Sequence, residues 1–405
     1  MARALLLLTL ALLTFAGDLR ETLYRLAVKY QSDGNFVTAL ELFTFLGNYS
    51  DAPRRRLEVY RFFLPRRFET KEEPLIRVAY ASRWREVGIR CPDRTVRVSY
   101  EGGKLRAGRR TFDRLLLEVE KGCSLSADGS FLTDLPAKAK VELLTYRGRS
   151  LLVLHLPLEL YLEGVLPGEV YASWPEEVLK AQAVAARTYA LFNAARARAE
   201  GKPFDLTATV AHQVFVGLSR RFESVRRAVE QTRGLVLTYG GGLIYAMYHS
   251  NAGGCTNSFE DLFGLPLPYL PSVKEPCEVE RLRWGRWERK LSAERLKRLL
   301  SELGTEGRVL DLSVERGVCG RGRKLVFFLE GGRRLELPLT FFARLKLKIP
   351  SDWFYPKGGL RLEGRGFGHG LGMSQWGAYC LAKKGWSFDR ILKLYYGPAE
   401  LKKLY

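Results

Sequence analysis

The sequence is poor in several things, and each shortage excludes something. Its six cysteines are scattered, with no CxxC pair, which rules out a classical zinc finger. Only four histidines and three methionines occur in 405 residues. No tract is low in complexity, so a disordered chain is excluded, and hydrophobic residues at 46% predict a packed core. Beyond the first residues no stretch is long and apolar enough to span a bilayer. There is no GK[ST] phosphate loop. No nucleic-acid recognition motif is present, and no nucleic-acid partner is expected.

What is there begins with MARALLLLTLALLTFAG. A basic residue, a short apolar run and small residues form the order of a secretory signal peptide over 1–17. The protein is therefore expected to be exported to the periplasm or cell wall. An uncleaved segment would instead leave it anchored at the outer face of the cytoplasmic membrane. In that compartment the six cysteines are free to form disulfides, in any of 15 pairings. Lysine and arginine exceed aspartate and glutamate by 65 to 44, a formal net charge of +21 that points to an anionic partner.

The apolar pattern changes along the chain. Residues 18–72 carry helical spacing in two runs broken at Ser32-Asp33-Gly34-Asn35, as in a tetratricopeptide-like hairpin. Residues 73–156 alternate in short runs such as TVRVSY and KVELLTY, a β-rich domain. From 157 to 405 helices and strands mix, with an insertion at about 278–338. A long helix is expected to start near Pro175, hairpins to turn at Gly240-Gly241-Gly242 and Gly331-Gly332, and helices to close the chain near 375–384 and 388–396. The fold class is α+β, with mixed, antiparallel-rich sheets, a long central helix and a small N-terminal helical hairpin.

Glu169 lies in LPGEVYASWP, read as a turn between an apolar strand and the long helix. A carboxylic acid among Val165, Leu166, Val170, Tyr171 and Trp174 suits general-acid chemistry. Glu163 and Glu177, also nearby, are expected on solvated positions. Lys180 and Arg187 share a face of the long helix, with Gln182 and Tyr189 beside them; polar side chains on an Ala/Val helix either meet solvent or point into a site. His249 and Cys255, in MYHSNAGGCTN, leave open a zinc site or a Cys–His nucleophile. The segment GRGFGHGLGMSQWGA holds six glycines in fifteen residues. It lacks the second glycine of a serine-hydrolase elbow. What remains is His369 on a glycine turn, beside the start of a helix.

The two long blocks, YLEGVLPGEVYASWPEEVLKAQAVAARTYAL and GRGFGHGLGMSQWGA, resemble the SpoIID/LytB family of bacterial wall proteins. HQVFVG, TRGLVLTYGGGLIYAMYHSNAGG and PYLPSV match in order between them, so the resemblance spans roughly 157–397. It implies a lytic transglycosylase that cuts peptidoglycan glycan strands after amidases have removed their stem peptides, with a wall amidase as a further partner. The catalytic glutamate falls on Glu169. Substrate contacts are expected from Lys180, Gln182, Arg187, Tyr189, Gln213, Tyr248, His249, Ser250, His369, Ser374 and Gln375, the glycines letting backbone approach the sugar chain. A non-enzymatic amidase enhancer is the alternative. No cofactor is required, although zinc at His249 and Cys255, as in some relatives, stays open.

Overall fold

The computed structural model describes residues 19–120, 122–278 and 281–405. The signal-peptide reading falls outside these residues. The described residues form two compact units, one within 65–246, 385–392 and 399–405, the other within 19–64, 247–384 and 393–398.

In the first unit a five-stranded sheet runs in the order Leu206–Thr207, Leu75–Ser82, Arg149–Pro157, Lys140–Tyr146, Arg114–Glu118. Its central strand, RSLLVLHLP, is buried over five successive residues, so both faces are covered and the alternation expected of a half-exposed strand disappears. A second, six-stranded antiparallel sheet is built from residues 86–135. Against these strands pack the helix Leu158–Glu169 and the long helix Glu176–Ala199. The long helix starts right after Pro175, where a missing N–H costs nothing. It is alanine-rich and buried on almost every side, and its short side chains let neighbours approach from all directions. The hairpin at Gly240 forms with very short arms, and Leu235–Tyr239 gains a further partner in the C-terminal strand Glu400–Lys403.

The second unit holds the N-terminal helices. Residues 19–32 and Phe36–Leu46 form the expected hairpin, and a third helix follows at Ala52–Tyr60. The group is not a free module. Glu41, buried within it, accepts hydrogen bonds from the backbone N–H of Phe341 and Phe342, and Tyr269 donates its hydroxyl to the Phe63 carbonyl. The same unit contains the amphipathic helix Ala293–Glu302 and the sheet Val309–Arg316, Gly322–Leu329, Arg334–Pro338, with the hairpin at Gly331 as expected. All six cysteines pair, as Cys91–Cys123, Cys255–Cys319 and Cys277–Cys380.

Candidate active site

Glu169 is the last residue of a helix, not part of a strand-to-helix turn. Leu158, Leu162 and Val165 recur at helical spacing and are buried, and the apolar run winds rather than extends. The helix stops because Val170 takes extended geometry. The segment HQVFVG lies along it, with the Val216 N–H on the Gly164 carbonyl at 2.9 Å. The glycines in EGVLPGE permit this approach. A side chain at Gly164 would strike the Phe215 ring and one at Gly168 would sit 2.6 Å from the Val214 carbonyl.

That contact aims the carboxyl group. The Val214 N–H donates to Glu169 Oε1 at 2.9 Å. Beneath it Tyr161, fully buried and stacked on Phe215, donates to Gln213 Oε1 at 3.1 Å. Burial holds the Tyr161 phenol protonated, and the Glu169 charge adds to the effect. Gln213 in turn donates to the Ala186 carbonyl at 3.1 Å, so it positions the segment that orients Glu169. Glu169 itself is half-buried. Next to it in sequence stand Tyr171, 46% exposed, and Trp174, their rings 5.4 Å apart.

The long helix places four of the expected side chains. Arg187 neither meets solvent nor faces a site: it is fully buried, forks onto Glu159 at 2.9 and 2.6 Å, and donates to the Leu235 carbonyl. Glu159 also accepts from the Gly234 N–H and the Tyr405 hydroxyl, so the pair ties two helices to the chain's end. Gln182 is fully buried, and Tyr189 is buried with its hydroxyl against that of Tyr245. Lys180 pairs with Glu176 at 3.2 Å and Glu177 at 2.8 Å. The two acids expected in solvent are engaged as well, Glu163 with Arg221 and Glu177 with the Phe388 N–H.

The glycine-rich segment of the second unit is packed against the protein's own interior. Gly368, at φ 113°, would place a Cβ 2.8 Å from that of His249, and Gly370, at φ 77°, would drive one into the Arg321 guanidinium. Only glycine tolerates both the backbone and the neighbours. The glycines serve this threading. His369 is half-buried and its ring is used up on backbone: Nε2 faces the Tyr248 carbonyl at 3.1 Å and Nδ1 accepts from the Leu371 N–H at 3.1 Å. Burial, with the Arg344 charge behind it, pushes this imidazole down to about 3. His249 is buried beside it, its Nδ1 on the Leu371 carbonyl, and burial holds it well below the usual range. Ser374 is fully buried and caps the helix Gln375–Lys383 by accepting from the Gly377 N–H. Gln375 is buried too, whereas Tyr248 and Ser250 are half-buried.

The comparisons follow this geometry closely. A sequence profile described as "Stage II sporulation protein" matches residues 146–239, which include Glu169 and the whole long helix. An uncharacterised protein of Brachyspira hyodysenteriae is 33% identical over 280 residues, 68% of this chain and 74% of that one. The chain belongs to the SpoIID/LytB family. Stage II sporulation protein D of Bacillus subtilis is 29% identical over 308 residues, covering 70% of this chain and 88% of its own length. The amidase enhancer of the same organism is 29% identical over 298 residues, but only 40% of that longer protein is matched.

For a SpoIID/LytB chain, the open zinc reading finds no support in these residues. Cys255 is bonded to Cys319 and offers neither a metal thiolate nor a nucleophile. No cluster of three His, Cys, Asp or Glu side chains with metal-binding geometry occurs among the described residues. Sequence reasoning missed the Val214 N–H, because a main-chain donor leaves no mark on residue type. It also missed the buried network around the glycine segment, in which Arg321 pairs with Asp352 and Asn257 donates to Asp352 and to the His369 carbonyl.

Proposed function

We propose that the protein is a peptidoglycan lytic transglycosylase acting on glycan strands stripped of stem peptides, with Glu169 as its single acid and base. The observation that carries the reading is a half-buried carboxyl group at a helix end, oriented by the Val214 N–H and next in sequence to the exposed Tyr171 and the half-buried Trp174. The carboxyl group can stand as acid or as carboxylate. Both forms are needed in one turnover. The acid protonates the departing glycosidic oxygen as the C1–O bond breaks. The 6-hydroxyl of the same N-acetylmuramic acid then attacks C1, and its proton returns to Glu169. The product carries a 1,6-anhydro ring and no water is consumed, so a second carboxyl group of the kind a hydrolase needs has no task. The rings of Tyr171 and Trp174 offer an apolar surface to the sugar faces.

The setting agrees. Three disulfides suit an oxidising compartment outside the cytoplasm. Glycan freed of stem peptides exposes a lactyl carboxylate on each muramic acid, a polyanion matched to a charge of +21. Relatives named for sporulation and for amidase enhancement extend this to a wall role alongside an amidase.

The test is product analysis of amidase-treated peptidoglycan with wild type and Glu169→Gln. Wild type should release anhydro-ended fragments, and the variant, still folded and still binding glycan, should lose 10²–10⁴-fold in rate. Reducing ends as the main product would identify a hydrolase. Folded wild type that releases nothing yet stimulates an amidase would make the protein an enhancer.

A further inference from the structure

The first unit contains a cleft of about 510 Å³ that the family profile does not reach on its far wall. Its rim is Arg90, Pro92 and the Cys91–Cys123 disulfide, and its floor is apolar, with Leu135, Leu160 and Leu218. Two of its lining residues lead back to Glu169. Leu160 belongs to the helix that ends at Glu169, nine residues and so about 13 Å along the axis. Arg221, which also lines the cleft, donates to Glu163 on that helix. The HQVFVG segment, whose Val214 N–H meets the carboxyl group and whose Val216 is 50% exposed, is followed directly by Leu218 of the cleft.

The polar lining is unusual. Among the described residues, Arg90 and Asp134 both stand at the rim of the cleft, on the same exposed face of one sheet, and neither is part of an ion pair. A guanidinium left open on a rigid rim suits a carboxylate, to which it binds through two parallel hydrogen bonds. A carboxylate on the rim suits hydroxyl groups on the edge of a sugar ring. A ligand meeting both needs is a saccharide with an acidic substituent. Asp134 disfavours a polymer charged at every unit, such as a phosphodiester chain, because like charges in a shared cleft repel.

We propose that this cleft is a distal glycan subsite, in which Arg90 binds the lactyl carboxylate of a stripped muramic acid and Asp134 a sugar hydroxyl, several positions along the strand from the bond cut at Glu169. The proposal rests on the transglycosylase reading for the nature of the strand. It explains how stripped glycan is told from peptide-bearing glycan: a lactyl group in amide linkage has no charge for Arg90 and carries a peptide into the cleft.

The experiment is equilibrium binding of the full chain to three probes: amidase-treated glycan, the same glycan with its carboxylates chemically amidated, and neutral chitin oligosaccharide. Arg90→Gln should bind the carboxylate form about tenfold more weakly, as expected for a lost charge-assisted pair, and the other two unchanged. Asp134→Asn should weaken all three alike. Both side chains are exposed, so both variants should melt like wild type. Arg90→Gln with undiminished affinity for the carboxylate form overturns the subsite, as does wild type that binds the amidated glycan as tightly as the carboxylate form. Binding separates the two ideas: unchanged Arg90→Gln binding with intact anhydro product sinks the cleft alone, and carboxylate-dependent binding without anhydro product sinks the chemistry alone.

Discussion

The helix end that carries Glu169 and the glycine segment that carries His369 look equally conspicuous in the sequence, and the structure treats them in opposite ways. At the helix end the surrounding residues leave the carboxyl group half-exposed, with the Val214 N–H orienting it. In the glycine segment the conspicuous polar side chains are turned inward: His369 holds two backbone groups, Ser374 caps a helix, and the glycines admit Arg321 and His249. Dense glycine therefore reports close internal packing at least as readily as approach to a ligand. Reactive positions are those where supporting contacts end on a group without consuming it.

The largest effect expected on that contrast is catalytic. His369→Gln should keep the anhydro-forming rate per folded molecule within a few-fold of wild type, against the 10²–10⁴-fold loss for Glu169→Gln. A loss of similar size at both positions would erase the distinction. Next is Arg187→Met. Without Arg187 a buried Glu159 has no cation, and unfolding free energy should drop by about 3–5 kcal/mol in a denaturant titration. A change below 1 kcal/mol would return Arg187 to the list of substrate contacts.

Gly372→Ala should cost about 2 kcal/mol or more, because φ is 67° and the new Cβ meets the Met247 carbonyl. Gly331→Ala is its control. There φ is 79° and nothing lies within 4 Å, so only the conformational cost of about 1 kcal/mol applies. Equal losses would mean that the glycine segment is not packed as described.

The smallest effect is in pH. The folded state keeps the His369 imidazole neutral down to about 3, whereas an unfolded histidine takes its proton near pH 6.5. Its contribution is complete above that value and is lost as pH falls toward 3. The stability difference between wild type and His369→Gln should therefore shrink between pH 7 and pH 4. The difference is the right quantity because Glu41, pushed up to about 7 by burial, acts with the opposite sign: its contribution is lost as pH rises through 7. A difference independent of pH would place His369 in solvent.

Much of the fold was legible beforehand. Pro175 marked the long helix, the glycine pairs marked hairpins, and period-two runs marked the strands of 73–156. YLEGVLPGE misled, because a dense apolar run fits a buried strand or a helix buried on most sides equally well. Of the residues expected at the site, Glu169 stays half-exposed, while Arg187, Tyr189, Gln213 and Ser374 are buried and His369 is bound to backbone groups. An arginine in an alanine-rich helix gives no sign of the glutamate that neutralises it, since Glu159 lies 28 residues away.

By itself the sequence determined whatever depends on neighbours in the chain: helix starts, turns, the apolar period, net charge, and two family blocks long enough to be specific. Only the tertiary structure decided what depends on partners distant along the chain. It chose one of 15 cysteine pairings and so removed Cys255 from metal or nucleophilic chemistry. It turned the glycines inward, and it set a backbone N–H from residue 214 on the carboxyl group of residue 169. The physical reason is common to all three. A polar group's role is set by whether another group desolvates and satisfies it, and that partner is chosen by folding, not by sequence proximity.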